Sequence, residues 1–172
     1  MIKPSFITLA LALLFAQVLQ AQVLWQGTTY GMTVPEVAKL HPTAKPPADP
    51  ATLYNGSVES LRVEGFEVVN SKFAVKFYFS KGSLSQVTLE SIEKTSFDSK
   101  LTLFASLTRV LREKYGKEKS LNRSDNGPMK QVEAYWDSGK TKIGLYLMAV
   151  GPEVVAFNLN YQVGILKESD KL

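Results

Sequence analysis

No cysteine occurs in this chain, and histidine occurs once, at position 41. The first absence excludes disulfides, thiol nucleophiles, thiolate metal sites and lipid attachment through sulfur. The second excludes a multi-histidine metal centre, and any catalytic dyad or triad would have to use His41. His41 follows a short helical stretch. A solvent-exposed imidazole at the negative end of a helix dipole accounts for it without catalysis. Glycine-rich phosphate loops are missing as well: Gly139 and Gly144 read as turn and strand glycines. Charge of one sign is not concentrated. The 20 basic and 16 acidic residues leave a formal charge of +4, too small and too mixed along the chain for a nucleic-acid surface. These absences imply no cofactor, no metal and no catalytic centre.

Long apolar runs are lacking too, except at the start. Residues 1–21 carry Lys3, an apolar stretch from Phe6 to Val18 interrupted only by Thr8 and Gln17, and then Gln20 and Ala21. This is the pattern of a secretory signal peptide cleaved after Ala21, and the stretch is shorter than the roughly 20 residues a spanning helix needs. The expectation is an exported chain, periplasmic or secreted, with no transmembrane anchor once the leader is removed. Residues 22–172 then form a single domain of ordinary globular composition, 45% hydrophobic and 21% charged.

What remains is a clear pattern of elements. Thr33-Val34-Pro35-Glu36 is a capping box opening a short helix, which Pro42 ends. Residues 41–52 hold four prolines and read as a stiff extended loop. From Ser57 the period changes from 3.6 to 2. Strands are expected at 60–69, 72–80 and 84–91, joined by turns at Asn70-Ser71 and Lys81-Gly82-Ser83, with a bulge at Gly65. The stretch from Phe97 to Gly116 is the one long amphipathic helix. Ser96 or Thr95 caps it, and Gly116 stops it. Residues 117–130 read as a polar loop with an Asp-Asn-Gly-Pro turn signal. Three more strands follow, at 130–138, 141–150 and 154–163, and the closing Lys-Glu-Ser-Asp-Lys-Leu reads as a frayed tail.

The chain therefore runs helix, three-stranded meander, helix, three-stranded meander, in repeats of about 22–91 and 95–163. The expected fold is α+β: six antiparallel strands in one sheet, both helices on one face. Phe73, Val75, Phe77, Phe79, Ile143, Leu145, Leu147, Phe157 and Leu159 are expected to face the long helix. Val155 and Tyr161 alternate in register with them.

Gly31-Met32-Thr33-Val34-Pro35-Glu36-Val37, with Tyr115-Gly116 closing the second helix and Trp136 on the following strand, resembles the β-lactamase-inhibitory-protein type of helix-plus-sheet repeat. It also resembles the small lipoproteins of the outer-membrane assembly machinery. The resemblance spans most of residues 22–172 and rests on structural motifs. It implies the same fold and a non-catalytic, protein-binding role. The missing cysteine departs from the lipoprotein members.

One face of the expected sheet lacks helices. Alternation places Lys76, Tyr78, Gln86, Thr88, Tyr135, Tyr146, Met148, Asn158 and Asn160 on it. Tyr and Met are enriched at interface cores, so this is the candidate binding face, for another exported or envelope protein. The bland reading is a solvated face on which Tyr and Thr are simply good strand formers. Three other signals are weaker. Asn122, Ser124, Asn126, Gly127 and Glu133 have the spacing of a degraded calcium loop, with Pro128 intruding. Lys100, Arg109, Arg112, Lys114, Lys117, Lys119, Arg123 and Lys130 make the second helix and its loop basic, as a solvated mixed-charge surface would be. Scattered carboxylates leave a carboxylate-only hydrolase open, and the helix–sheet interior leaves a carrier of a small apolar ligand open.

Overall fold

The computed structural model describes residues 22–164. The leader read at 1–21 and the closing tail lie outside the described residues. The described residues form an α+β fold with one antiparallel seven-stranded sheet and two helices. In chain order the elements are α1 (Val34–Leu40), β1 (Val58–Val68), β2 (Ser71–Ser80), β3 (Ser83–Ser91), α2 (Phe97–Tyr115), β4 (Ser120–Asn126), β5 (Met129–Ser138), β6 (Thr141–Val150) and β7 (Glu153–Val163). The strands lie in the order β1-β2-β3-β7-β6-β5-β4. The last strands of the two meanders therefore meet in the middle.

The helix signals act as read. Glu36 accepts from the Thr33 backbone N–H at 2.7 Å and from its hydroxyl at 2.8 Å, which holds the Glu36 carboxyl below its usual pKa. Ser96 caps α2 by accepting the Ser99 N–H. Gly116, at φ 80°, ends it in a conformation that costs glycine little.

The sheet has one strand more than expected. The polar stretch 120–126 is β4, paired with β5 in unbroken register from Ser120↔Tyr135 to Asn126↔Met129. Gly127 (φ 63°) and Pro128 form a two-residue hairpin turn, glycine first, as a type II′ turn requires. Gly151-Pro152 repeats this between β6 and β7, and the Gly151 N–H donates to the Pro128 carbonyl at 2.6 Å. The calcium-loop spacing is thereby dissolved. Asn122 and Glu133 face each other across two strands instead of lining one loop.

The turn after β1 is Val69-Asn70, one residue earlier than expected, and both residues have positive φ (51° and 57°). A β-branched side chain is strained there. The double substitution Val69→Asn with Asn70→Gly places an Asn-Gly pair in this turn and is expected to raise stability by about 1 kcal/mol in urea unfolding.

One sheet face is apolar across its centre, from β2 to β5. Phe77, Val87, Tyr161, Ile143 and Trp136 sit side by side across five strands and are all buried. Val75, Leu89, Leu159, Leu145 and Ala134 form the next row. All nine expected core positions are buried. Val155 is not: it is the extra residue of a bulge where β7 pairs with β6 and is 48% exposed. The long helix also does not cover the whole row. It packs on β5, β6 and β7, while α1 packs on β1. Phe77 faces Trp25 and His41 instead, at ring distances of 6.0 and 5.2 Å.

His41 is thus half-buried, not the exposed imidazole expected. It stacks on Trp25 at 5.3 Å, and its Nε2 is buried without a partner. Burial lowers its pKa below the ordinary 6.5. The unfolded chain therefore binds the proton more readily than the folded one. Stability is full above pH 6.5 and falls as pH drops from there through the lower folded-state value. Melting temperature is expected to drop between about pH 7 and 5 in the wild type, and by clearly less in His41→Phe.

Candidate binding face

The second sheet face carries all nine residues singled out from the sequence. Strand register sorts most of them into rows. Lys76, Thr88, Asn160, Gly144 and Tyr135 form one row across β2, β3, β7, β6 and β5. Glu90, Asn158, Tyr146, Glu133 and Asn122 form the next, from β3 to β4. Tyr78 and Gln86 start a third row and Met148 lies in a fourth, beside Gln131.

The face is not uniform. Towards β1 it is sealed. Tyr78 is only 3% exposed and Glu59, its neighbour on β1, 1%. The proline-rich segment 45–57 closes this end. It runs along the outer edge of β1 through bridges at Lys45↔Arg62 and Thr52↔Val58. The Ala51 N–H donates to the Glu59 carboxylate at 3.2 Å. Arg62 grips the same carboxylate with Nε and, at 2.8 Å, with Nη2. This pairing raises the Arg62 pKa further. Burial, then the charges of Glu59 and Glu90, push the Tyr78 hydroxyl up to about 12. The stiff loop read from its prolines is therefore a strap over an edge strand, a common way to block edge-to-edge pairing. Tyr78 belongs to that sealed end and not to an open surface.

The middle of the face is a polar ladder. Gln86 donates to the Thr88 hydroxyl at 2.9 Å, and Thr88 donates to Asn160 Oδ1 at 2.9 Å. Lys76 is paired with Glu90 at 2.5 Å. Towards β4 the face opens. Tyr135 is 42% exposed, and Tyr146 and Met148 are half-buried beside it. The Tyr135 ring lies over Gly144, where an added Cβ would come within 3.1 Å of the ring. That contact gives the glycine its reason for standing in mid-strand. Glu133 is the hub of this half. It accepts from the Tyr135 hydroxyl at 3.0 Å, from Gln131 at 3.1 Å and from Asn122 at 3.3 Å. Burial, and then the Glu133 carboxylate, raise the pKa of both tyrosines. The Tyr146 hydroxyl donates to Met148 Sδ at 3.2 Å.

Glu133 and Gln131 are functional candidates that sequence reasoning did not place on this face. Their signal was available: they alternate in phase with Tyr135 along one strand. The chemistry of the open half is aromatic with one carboxylate at its centre. Two ring faces around a negative charge favour a cationic side chain of a partner.

Two clefts lie away from this half. One, of about 790 Å³, is lined by polar residues including Gln22, Tyr30, Gln86 and Lys142. The other, of about 1100 Å³, opens where β7 leaves β3, and Glu90, Glu93, Lys100 and Asn158 line it. Lys100 departs from the basic surface expected of the second helix. It is 2% exposed, not part of a solvated basic surface. Its ammonium donates to Ser91 Oγ and sits 5.6 Å from the Phe157 ring, and burial lowers its pKa. Two of the three carboxylates of this cleft are engaged, Glu90 by Lys76 and Glu93 by the Lys72 N–H at 3.3 Å, and the third, Glu153, is exposed. Among the described residues no group of His, Asp and Glu could hold a metal ion. None of their helices is long and apolar enough to cross a membrane. No family model, characterised protein or solved structure matches the chain.

Proposed function

We propose that this chain is an exported, non-catalytic binding protein, and that another exported or envelope protein docks on the open half of its polar sheet face. One observation carries the reading. Tyr135, Tyr146 and Met148 gather around the Glu133 carboxylate on adjoining strands, while the strap takes the other end of the same face out of use. The partner group that fits is a lysine or arginine side chain set over the tyrosine rings against Glu133.

In this reading the fold is two helix-plus-sheet repeats with both helices on one side, leaving the other side for binding. Two features support the repeat. β3 and β7, the closing strands of the two meanders, meet at the sheet's centre. The strap occupies beside β1 the place that β4 occupies beside β5. The resemblance to β-lactamase-inhibitory-protein-type repeats points the same way.

The test is site-specific photo-crosslinking in the exporting cell. A photoreactive residue at position 148 is expected to trap one dominant species, and the same residue at position 48, exposed on the strap, is expected not to. Purified wild-type protein should compete the product away, and a Glu133→Gln/Tyr135→Ala variant should not. Equal trapping from both positions, or equal competition by the variant, overturns the reading. N-terminal sequencing of the mature chain should begin at Gln22, and an intact Met1 would contradict export with cleavage.

A further inference from the structure

The two edges of the sheet are treated in opposite ways. β1 is covered by the strap and broken by two register shifts. β4 has none of these devices. Its seven residues hold an unshifted register with β5, contain no proline and have no partner on the outer side among the described residues. Such an edge is a template for another strand.

Which strand fits follows from the geometry. The two-residue Gly127-Pro128 turn makes Asn126 and Met129 a hydrogen-bonded pair. Asn126, Ser124 and Asn122 therefore aim their main-chain groups at β5, and Asp125, Arg123 and Leu121 aim theirs outward. A second β4 related by a two-fold axis can pair only in registers centred on a residue, because a centre between residues sets an outward group against an inward one. Centred on Arg123 or on Asp125, such a pair sets like charges face to face. Centred on Ser124, it sets Arg123 opposite Asp125 of the other copy, and Asp125 opposite Arg123, each as a pair that exchanges both N–H···O bonds. Neither side chain has an ion-pair partner within its own chain among the described residues. The cross-strand neighbour of Asp125 is Lys130, whose ammonium lies over the Phe97 ring at 5.5 Å.

We propose that β4 is a self-complementary docking edge, and that two copies of this chain join there about a two-fold axis at Ser124 into one continuous sheet. An isologous contact of this kind closes on itself and leaves no free β4 edge. It also brings the open halves of the two polar faces next to each other, so a dimer would present two Glu133 sites to one partner. The dimer stands on the edge geometry alone and does not require the proposed function.

The test is sedimentation equilibrium of residues 22–172, as wild type and as three variants. Wild type is expected to show a concentration-dependent monomer–dimer equilibrium. Arg123→Asp replaces both attractive pairs with Asp–Asp contacts and is expected to raise the dimer dissociation constant by about tenfold or more. Asp125→Arg should do the same. The double variant Arg123→Asp/Asp125→Arg restores opposite charges in the same register and should recover wild-type association. Both positions are exposed, so equal melting temperatures will show that folding is intact. A wild type that stays monomeric at its highest soluble concentration overturns the proposal. So does a double variant no better than the single ones.

Discussion

Glu59→Ala is expected to cost about 3 kcal/mol of stability, within the roughly 3–5 kcal/mol range for breaking a buried ion pair from one side. The carboxylate is buried, and it accepts from both the Arg62 guanidinium and the Ala51 N–H. Removing it strands both donors. The Arg62 side chain keeps 24% of its exposure and can recover some hydration, which places the loss at the lower end. The consequence reaches further than one pair, because the same carboxylate fastens the strap to the outer edge of β1. Freed, that edge becomes a second template for strand addition, and the variant should aggregate on heating where the wild type does not. The Tyr78 hydroxyl offers an independent readout. Without the Glu59 charge, its pKa of about 12 should move down part of the way in a spectrophotometric titration, burial and Glu90 still holding it above its ordinary value. A variant that unfolds in urea within about 0.5 kcal/mol of wild type would show that the pair holds nothing in place.

Trp136→Ala is expected to cost about 3–5 kcal/mol, as complete truncations of large buried aromatics do. Trp136 is 1% exposed in the apolar row of the sheet. Its indole N–H donates to the Gly116 carbonyl at 3.0 Å, at the residue that ends α2. The ring thus fills the core and also ties off the helix end. Trp136→Phe separates these roles. It keeps most of the volume, leaves the Gly116 carbonyl unpartnered and should lose about 1–2 kcal/mol. Amide exchange in the last turn of α2 should rise in Trp136→Phe more than exchange in its first turn. Uniform acceleration along α2 would mean that the hydrogen bond does not hold the helix end.

The elements that could be read in advance are those with local causes. Thr33 with Glu36, Ser96 and Gly116 are helix signals carried within one turn of chain, and they mark the helix ends as expected. Phe73, Val75 and Phe77 alternate with Lys76 and Tyr78, and that alternation alone assigns both faces of β2. The misses have non-local causes. Ser120–Asn126 lacks β-branched and aromatic residues, and it is a strand because β5 and the Gly127-Pro128 turn hold it in register. Lys100 reads as one base among many on a helix, and it is buried because it reaches Ser91 of β3 and the Phe157 ring of β7. Alternation puts Tyr78 on the correct face but does not show its sealed end, because its neighbour Glu59 is fastened to a proline-rich segment roughly 20–30 residues earlier in the chain. Trp25 and His41 gave no periodic signal, and their stacking on Phe77 depends on how the chain before α1 returns to the sheet.

The division of the polar face into a sealed end and an open half is the claim on which the functional reading depends. Its most direct test is the affinity of the partner trapped at position 148 for three forms of the protein, measured by calorimetry. Tyr135→Ala/Tyr146→Ala should bind at least about tenfold more weakly than wild type, as loss of aromatic anchors at an interface centre requires. Tyr78→Phe, altered only at the sealed end, should bind as wild type does. Unchanged affinity in the double variant, or a comparable loss in Tyr78→Phe, would contradict the account.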